Sequence, residues 1–221
     1  MEKIYIVKEQ IDTRIIGRSY PQVSSADDPL LDKENMKRVR EDKFTEVPVN
    51  GYHVRIQKST KLTDYISSFL ETHTPILSQR LLRLLQTFRL PSHQLVPVQV
   101  YRGKEQVEEA VYRIVNFSGN DIQNINFPQS TFDYFTGGAT LDKSLLHFSN
   151  YEDYRNKVAK DDRVEMAIIQ KVVMKPSLPH DLFFLGIFKA SAFFVRQGLK
   201  EAMDQEKITG FRFDEVGYIA E

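Results

Sequence analysis

Apolar residues recur along this chain at two spacings. Leu81, Leu85 and Phe88 fall four and three apart, as do Val195, Leu199 and Ala202. That period lays one apolar stripe along a helix, so segments 78–88 and 191–203 are expected as amphipathic helices. A serine opens each, Ser78 and Ser191, and a serine hydroxyl ahead of the stripe caps the N–H groups of the first turn. Pro91 and Gly210 then turn the chain into short apolar strands at 95–98 and 208–213. The two stretches read as similar helix–strand units.

Elsewhere the spacing is two. Residues 1–8 alternate as a first strand, and 95–101, 110–117, 163–174 and 182–188 read as further strands. Asn50-Gly51 between alternating flanks predicts a tight hairpin over 47–56, with Pro48 placing that arm at a sheet edge. Segment 63–70 is expected as a short helix, 150–160 as a polar helix capped by Asn150, and 20–42 as a surface loop. Residues 118–142 are polar and broken by turns. Strands outnumber helices and helices follow strand groups, which defines an α+β class. Its sheets are expected to be mixed or mainly antiparallel, with a few packed helices.

Composition narrows the function classes. At 221 residues the chain is long enough for one sizeable core. A strand, loop and hairpin region over 1–62 and an α+β domain over 63–221 are expected to form one compact body. Thirty basic and thirty acidic residues cancel, so the strong field that draws proteins to nucleic acid or anionic lipid is absent, and neither is expected as a partner. Cysteine is absent, which removes disulfides, thiolate catalysis and thiolate metal sites. Residues 1–8 lack a signal-peptide core and the longest apolar run, 182–188, is far too short to span a bilayer, so a soluble, cytoplasmic chain is expected.

Catalytic patterns are sparse. His53, His73, His93, His147 and His180 form no helical pair of the zinc type, and no metal or cofactor is expected. Gly137-Gly138 lacks the Gly-Lys-Ser/Thr ending of a phosphate loop and reads as a turn. No Gly-x-Ser-x-Gly elbow occurs. The enzyme alternative is a small hydrolase or transferase using Asp121, Asp133 or His147 in a cleft. Phe183, Phe184, Phe188, Phe193, Phe194, Phe211 and Phe213 are expected in the core. By contrast Tyr134, Tyr151 and Tyr154 stand among Asp133, Asp142, Glu152 and Asp153, a mixture suited to a protein partner. Segment 118–162 is therefore the expected partner-binding face.

From about residue 64 onward the order of elements resembles family eleven of the polymorphic-toxin immunity proteins, formerly a domain of unknown function. The resemblance rests on Ser78 with Val96-Pro97-Val98, then Tyr112 to Asn116, Asp121 followed by Ser130, and Phe183-Phe184-Leu185. It closes on Ser191 and Thr209-Gly210-Phe211-Arg212-Phe213. It implies a non-enzymatic antidote that binds a cognate toxin domain and occludes it. It carries no catalytic residue. The recurring positions fit structural jobs: Ser78 and Ser191 as caps, Gly210 in a turn, and Asn116 bonding backbone at a strand end. The oligomeric state is left open.

Overall fold

The computed structural model describes residues 1–23, 52–67, 75–107, 112–117, 121–136, 147–158, 164–185 and 192–221. The chain is α+β, built of mixed sheets with short helices, and it divides into two compact units. Neither unit is a continuous stretch. The first comprises residues 1–7, 120–200 and 213–221, and the second 8–119 and 201–212. The boundary expected between residues 62 and 63 falls inside the second unit.

The first unit carries a six-stranded sheet. Its strands are β1 (Glu2–Glu9), β8 (Thr131–Thr136), β9 (Val164–Met174), β10 (Leu182–Leu185), β11 (Ala192–Arg196) and β12 (Phe211–Ile219), in the order β10-β11-β1-β12-β9-β8. The two termini of the chain thus supply the two central strands. β1 runs antiparallel to β11, and β12 parallel to β9. Its core gathers Ile4, Phe132, Phe148, Val172, Phe183 and Phe194, all 2% exposed or less. Phe183 and Phe194 face each other across β10 and β11 with their rings stacked at 5.6 Å.

The second unit holds β2 (Tyr52–Ile56), β3 (Tyr65–Ile66), β4 (Ile76–Ser78), β5 (His93–Arg102) and β7 (Tyr112–Phe117) in the order β2-β5-β7-β4-β3, with β6 (Glu105–Gln106) pairing with β5. β2 and β5 are parallel and the remaining pairs antiparallel. Val54, Ile56, Ile66, Ile76 and Val96 form its core. The one-turn helix α1 (Thr13–Ile16) precedes this sheet, and α2 (Gln79–Leu85) connects β4 to β5.

Several expectations meet a different local structure. Segment 63–70 is not a helix in its described part. Tyr65 and Ile66 form β3 and pair with Leu77 and Ile76, because both side chains find burial in the sheet. The stripe that opened at Ser191 is likewise strand first: Ala192–Arg196 is β11, and the helix α4 starts only at Gln197 and runs to Gln205. Phe193, Phe194 and Val195 are all buried, as a central apolar strand requires. A serine at 191 therefore cannot cap that helix; Ser191 itself lies outside the described residues. Gly210 does not stop α4 either. The stop is Lys207 at φ 52°, with the Ile208 N–H returning to the Met203 carbonyl at 2.9 Å. Ser78 does cap α2, accepting from the Leu81 N–H at 3.1 Å, and Asn150 caps α3 (Tyr151–Val158) through the Asp153 N–H at 2.9 Å. The hairpin turn at Asn50-Gly51, the Gly137-Gly138 turn, and most of the 20–42 loop lie outside the described residues. No helix among the described residues is long and apolar enough to cross a membrane.

Candidate functional site

The densest polar constellation in the second unit is centred on Asp64. This residue sits at the entrance to β3 with its side chain 7% exposed. Burying a carboxylate is costly unless its lone pairs are met, and here they are. Oδ1 accepts from Ser78 Oγ at 2.7 Å and from Arg80 Nε at 3.0 Å. Oδ2 accepts from Arg80 Nη2 at 2.6 Å, from the Thr209 N–H at 2.9 Å and from Thr209 Oγ1 at 3.0 Å. The backbone joins in. The Asp64 N–H donates to Thr209 Oγ1 at 3.2 Å, and the Asp64 carbonyl accepts from the Ser78 N–H at 2.7 Å.

Three chain segments are clasped in this way. Ser78 serves twice, donating a hydrogen bond to Asp64 while accepting one from the Leu81 N–H that starts α2. Arg80, in the first turn of α2, extends past Asp64 to the carbonyls of Glu206 at 3.2 Å and Lys207 at 3.1 Å. Those carbonyls follow the end of α4, where intrahelical donors have run out. Tyr112, buried in β7, donates its hydroxyl to the Thr63 carbonyl at 2.8 Å. Gly210 follows Thr209 at φ 98°, so close to β3 that a β-carbon would collide with the Tyr65 carbonyl oxygen. Phe211 then lays its ring 4.6 Å from that of Tyr65.

Electrostatics agree with the geometry. Burial alone would raise the Asp64 pKa, but bonds from Arg80, Thr209 and Ser78 outweigh it and hold the carboxyl below its ordinary range. Asp64 in turn raises Arg80. A cavity of about 430 Å³ opens beside the clasp, lined by Leu62, Thr63, Gln79 and Tyr112 with the clasp residues. Its volume lies within the range of small-molecule pockets. The carboxylate nevertheless has five donors for about four lone-pair directions, so it is badly placed to take a proton from a substrate. The arrangement joins segments; it does not present a base.

Two further nodes hold the N-terminal part of this unit. Glu9 accepts from Tyr20 at 2.6 Å and from Tyr65 at 2.7 Å. The bond to Glu9 and partial burial push the Tyr20 hydroxyl up to about 12, and burial takes Tyr65 well above its usual value. Gln22, fully buried, bonds Lys61 and Thr63 through Nε2 and the Ser67 N–H through Oε1.

The expected partner-binding residues separate. Tyr151 is 37% exposed at the start of α3, but Tyr154 is 8% exposed and buried, contrary to its polar neighbourhood in sequence. The reason is helical geometry: Tyr154 lies on the inward face and packs with Phe127 at 5.9 Å and Phe148 at 5.4 Å. Asp153 closes the helix start on Ser149, and Glu152 pairs with Arg155 at 2.9 Å. Asp133 and Tyr134 fall in β8, and Asp142 lies outside the described residues. Asn116 lies in β7 opposite Gln94, and Phe213 is half-buried in β12, as is Phe211. Of the carboxylates and histidines of the enzyme alternative, Asp121 meets His180 at 3.3 Å rather than His147, which is exposed. No cluster of three or more metal-ligating side chains occurs among the described residues. Asp64 and Arg80 give no signal in the sequence, and Thr209 only its place in the resemblance, since each is an ordinary residue until the fold brings 64, 80 and 209 together.

No family model matches this chain, and no curated protein matches it in sequence.

Proposed function

We propose that this chain is a non-enzymatic immunity protein that binds a cognate toxin domain and occludes it. The observation that supports this most is where the residues carrying the resemblance fall. Ser78, Tyr112, Thr209, Gly210 and Phe211 come from distant parts of the sequence and converge on residues 63–65: Ser78 and Thr209 on the Asp64 carboxylate, Tyr112 on the Thr63 carbonyl, Gly210 on the Tyr65 backbone and Phe211 on the Tyr65 ring. Two more, in the first unit, are also spent on internal bonds. The Asp121 N–H donates to the Phe184 carbonyl at 2.8 Å, and buried Ser130 accepts from the Val173 N–H at 3.0 Å. A recurrent pattern that builds scaffold rather than a reactive centre fits a binding protein whose recognition surface is free to vary.

The test is co-expression with the toxin domain that this reading expects to be encoded beside this chain's gene. Protection of the host cell, together with a 1:1 complex of the purified pair, is expected. Protection without a complex would favour the hydrolase or transferase alternative, in which the toxin's product is consumed. Absence of both would remove the reading. Within segment 118–162 the anchor to probe is Tyr151, stacked on Tyr154 at 6.0 Å. Its side chain is already ordered, so little entropy is lost when a partner covers it.

A further inference from the structure

The second unit carries an exposed elbow formed by residues 9–20 and the adjoining 58–61. Of the six large hydrophobic side chains exposed among the described residues, three lie here: Ile11 at 54%, Ile15 at 37% and Tyr20 at 52%. A single exposed isoleucine is ordinary, whereas a cluster inside one short stretch is not. The elbow is a defined structure, not a loose end. Asp12 caps α1 through the Arg14 N–H, and the Lys61 N–H bonds the Ile16 carbonyl at 2.9 Å. The Arg18 N–H bonds the Ser59 carbonyl at 3.2 Å, and the two hydroxyls of Ser19 and Ser59 meet at 2.6 Å.

Its net charge is positive. Arg14, Arg18, Lys58 and Lys61 are all exposed around these apolar groups, and Lys61 Nζ reaches across to the Arg14 carbonyl at 2.8 Å. The carboxylates of the elbow are committed. Asp12 forms a two-point pair with Arg14, at 2.6 Å for the shorter bond, so those two charges cancel; Glu9, which accepts from Tyr20 and Tyr65, keeps its negative charge, and Arg18, Lys58 and Lys61 outnumber it. Arg212 adds a further positive charge near Tyr20. In a chain whose formal charge is zero, this is a concentrated excess of cation beside exposed Ile and Tyr. Arginine and tyrosine around an apolar centre are the composition of interface anchors.

We infer that the elbow is a docking surface for an acidic protein partner, and that the partner is the toxin domain of the proposed function. The inference rests on that reading for the partner's identity. Ile11 and Ile15 supply the apolar centre, and Tyr20, held by Glu9, presents an ordered ring. Arg18 and Lys61 meet carboxylates on the partner and speed its approach.

The experiment uses the full chain and an inactivated form of the toxin domain that the proposed function expects beside its gene. Association is measured at low and high salt for the unaltered chain, for Ile15→Asp with Arg18→Glu, and for Tyr151→Ala. The elbow pair is expected to lose on the order of 100-fold in affinity, two anchors' worth. Its thermal midpoint should fall only slightly, since Arg18 is exposed and Ile15 lies at the surface at 37%, and its salt dependence should be shallower than that of the unaltered chain. Binding of the elbow variant equal to that of the unaltered chain, with Tyr151→Ala weakened, would overturn the inference and leave the toxin reading standing. No complex with the unaltered chain would overturn the toxin reading, and the inference with it.

Discussion

At the residue scale, Asp64 governs the second unit because it alone satisfies Ser78, Arg80 and Thr209 together. Asp64→Ala leaves a serine hydroxyl, a backbone N–H and part of a guanidinium without their acceptor, and should cost about 3 kcal/mol in denaturant unfolding. Arg80 is half exposed, with 53% of its side chain accessible. Water replaces much of what it loses, so Arg80→Ala should cost about 1 kcal/mol. The pH dependence follows from the lowered Asp64 pKa. A carboxyl whose folded pKa is depressed contributes stability above its unfolded pKa, about 3.9, and loses it as pH falls through the folded value. The thermal midpoint should therefore be flat above about pH 5 and fall below pH 4, and Asp64→Asn should flatten that acid limb. Gly210 is legible in sequence as a turn residue, but the reason for glycine is three-dimensional. Its φ of 98° and the Tyr65 carbonyl beside it leave no room for a β-carbon. Gly210→Val should lose roughly 1–3 kcal/mol from backbone conformation alone and more from the collision, read as a lower urea midpoint. Unchanged unfolding would show that the turn can relax.

At the element scale, the sequence pattern separates strand from helix well where the run is long and poorly where it is mixed. The strands over 1–8, 95–101 and 163–174 match β1, β5 and β9 to within a few residues. The stripe Val195, Leu199, Met203 has the spacing of a helix, and all three side chains are buried at 2% or less. Yet Val195 belongs to a strand, because burial on both sides of a short aromatic run overrides its period. The likeness between the two stretches survives in another form. In the second unit β4, α2 and β5 follow one another in the chain, and β7 lies between the two strands in the sheet. The sequence β11, α4 and β12 has β1 between its strands. Each is a strand–helix–strand crossover split by a strand from elsewhere, which no local pattern reveals. Leu199, fully buried on α4, gives the measure of that helix. Leu199→Ala should cost 2–5 kcal/mol by the usual penalty for an emptied core site. A thermal midpoint that does not move would show the site collapsing onto the gap.

At the scale of the whole molecule, the chain weaves between its units, and this explains what sequence could not reveal. A domain boundary is legible in sequence only as a shift of composition or a linker, but the fold changes units at residues 7/8, 119/120, 200/201 and 212/213. Three of these changes fall inside regular elements, β1, α4 and β12, where composition carries no signal. The candidate site was hidden for the same reason: Asp64 and Thr209 are 145 residues apart in sequence. The last segment therefore serves two structures. Residues 201–212 bring Thr209, Gly210 and the Glu206 and Lys207 carbonyls to the Asp64 clasp, while residues 213–219 complete β12 between β1 and β9. Removal of residues 208–221 should thus damage both units at once. In the first, β1 and β9 lose the strand between them and expose unpaired edges. In the second, Asp64 keeps Ser78 and Arg80 but loses both Thr209 donors. The truncated chain should show no cooperative thermal transition and should aggregate on refolding, whereas the Asp64→Ala chain should retain a single, lowered transition. A truncated chain that still melts cooperatively would mean that one unit folds without the C-terminal segment, and proteolysis would then identify which one by the core that survives.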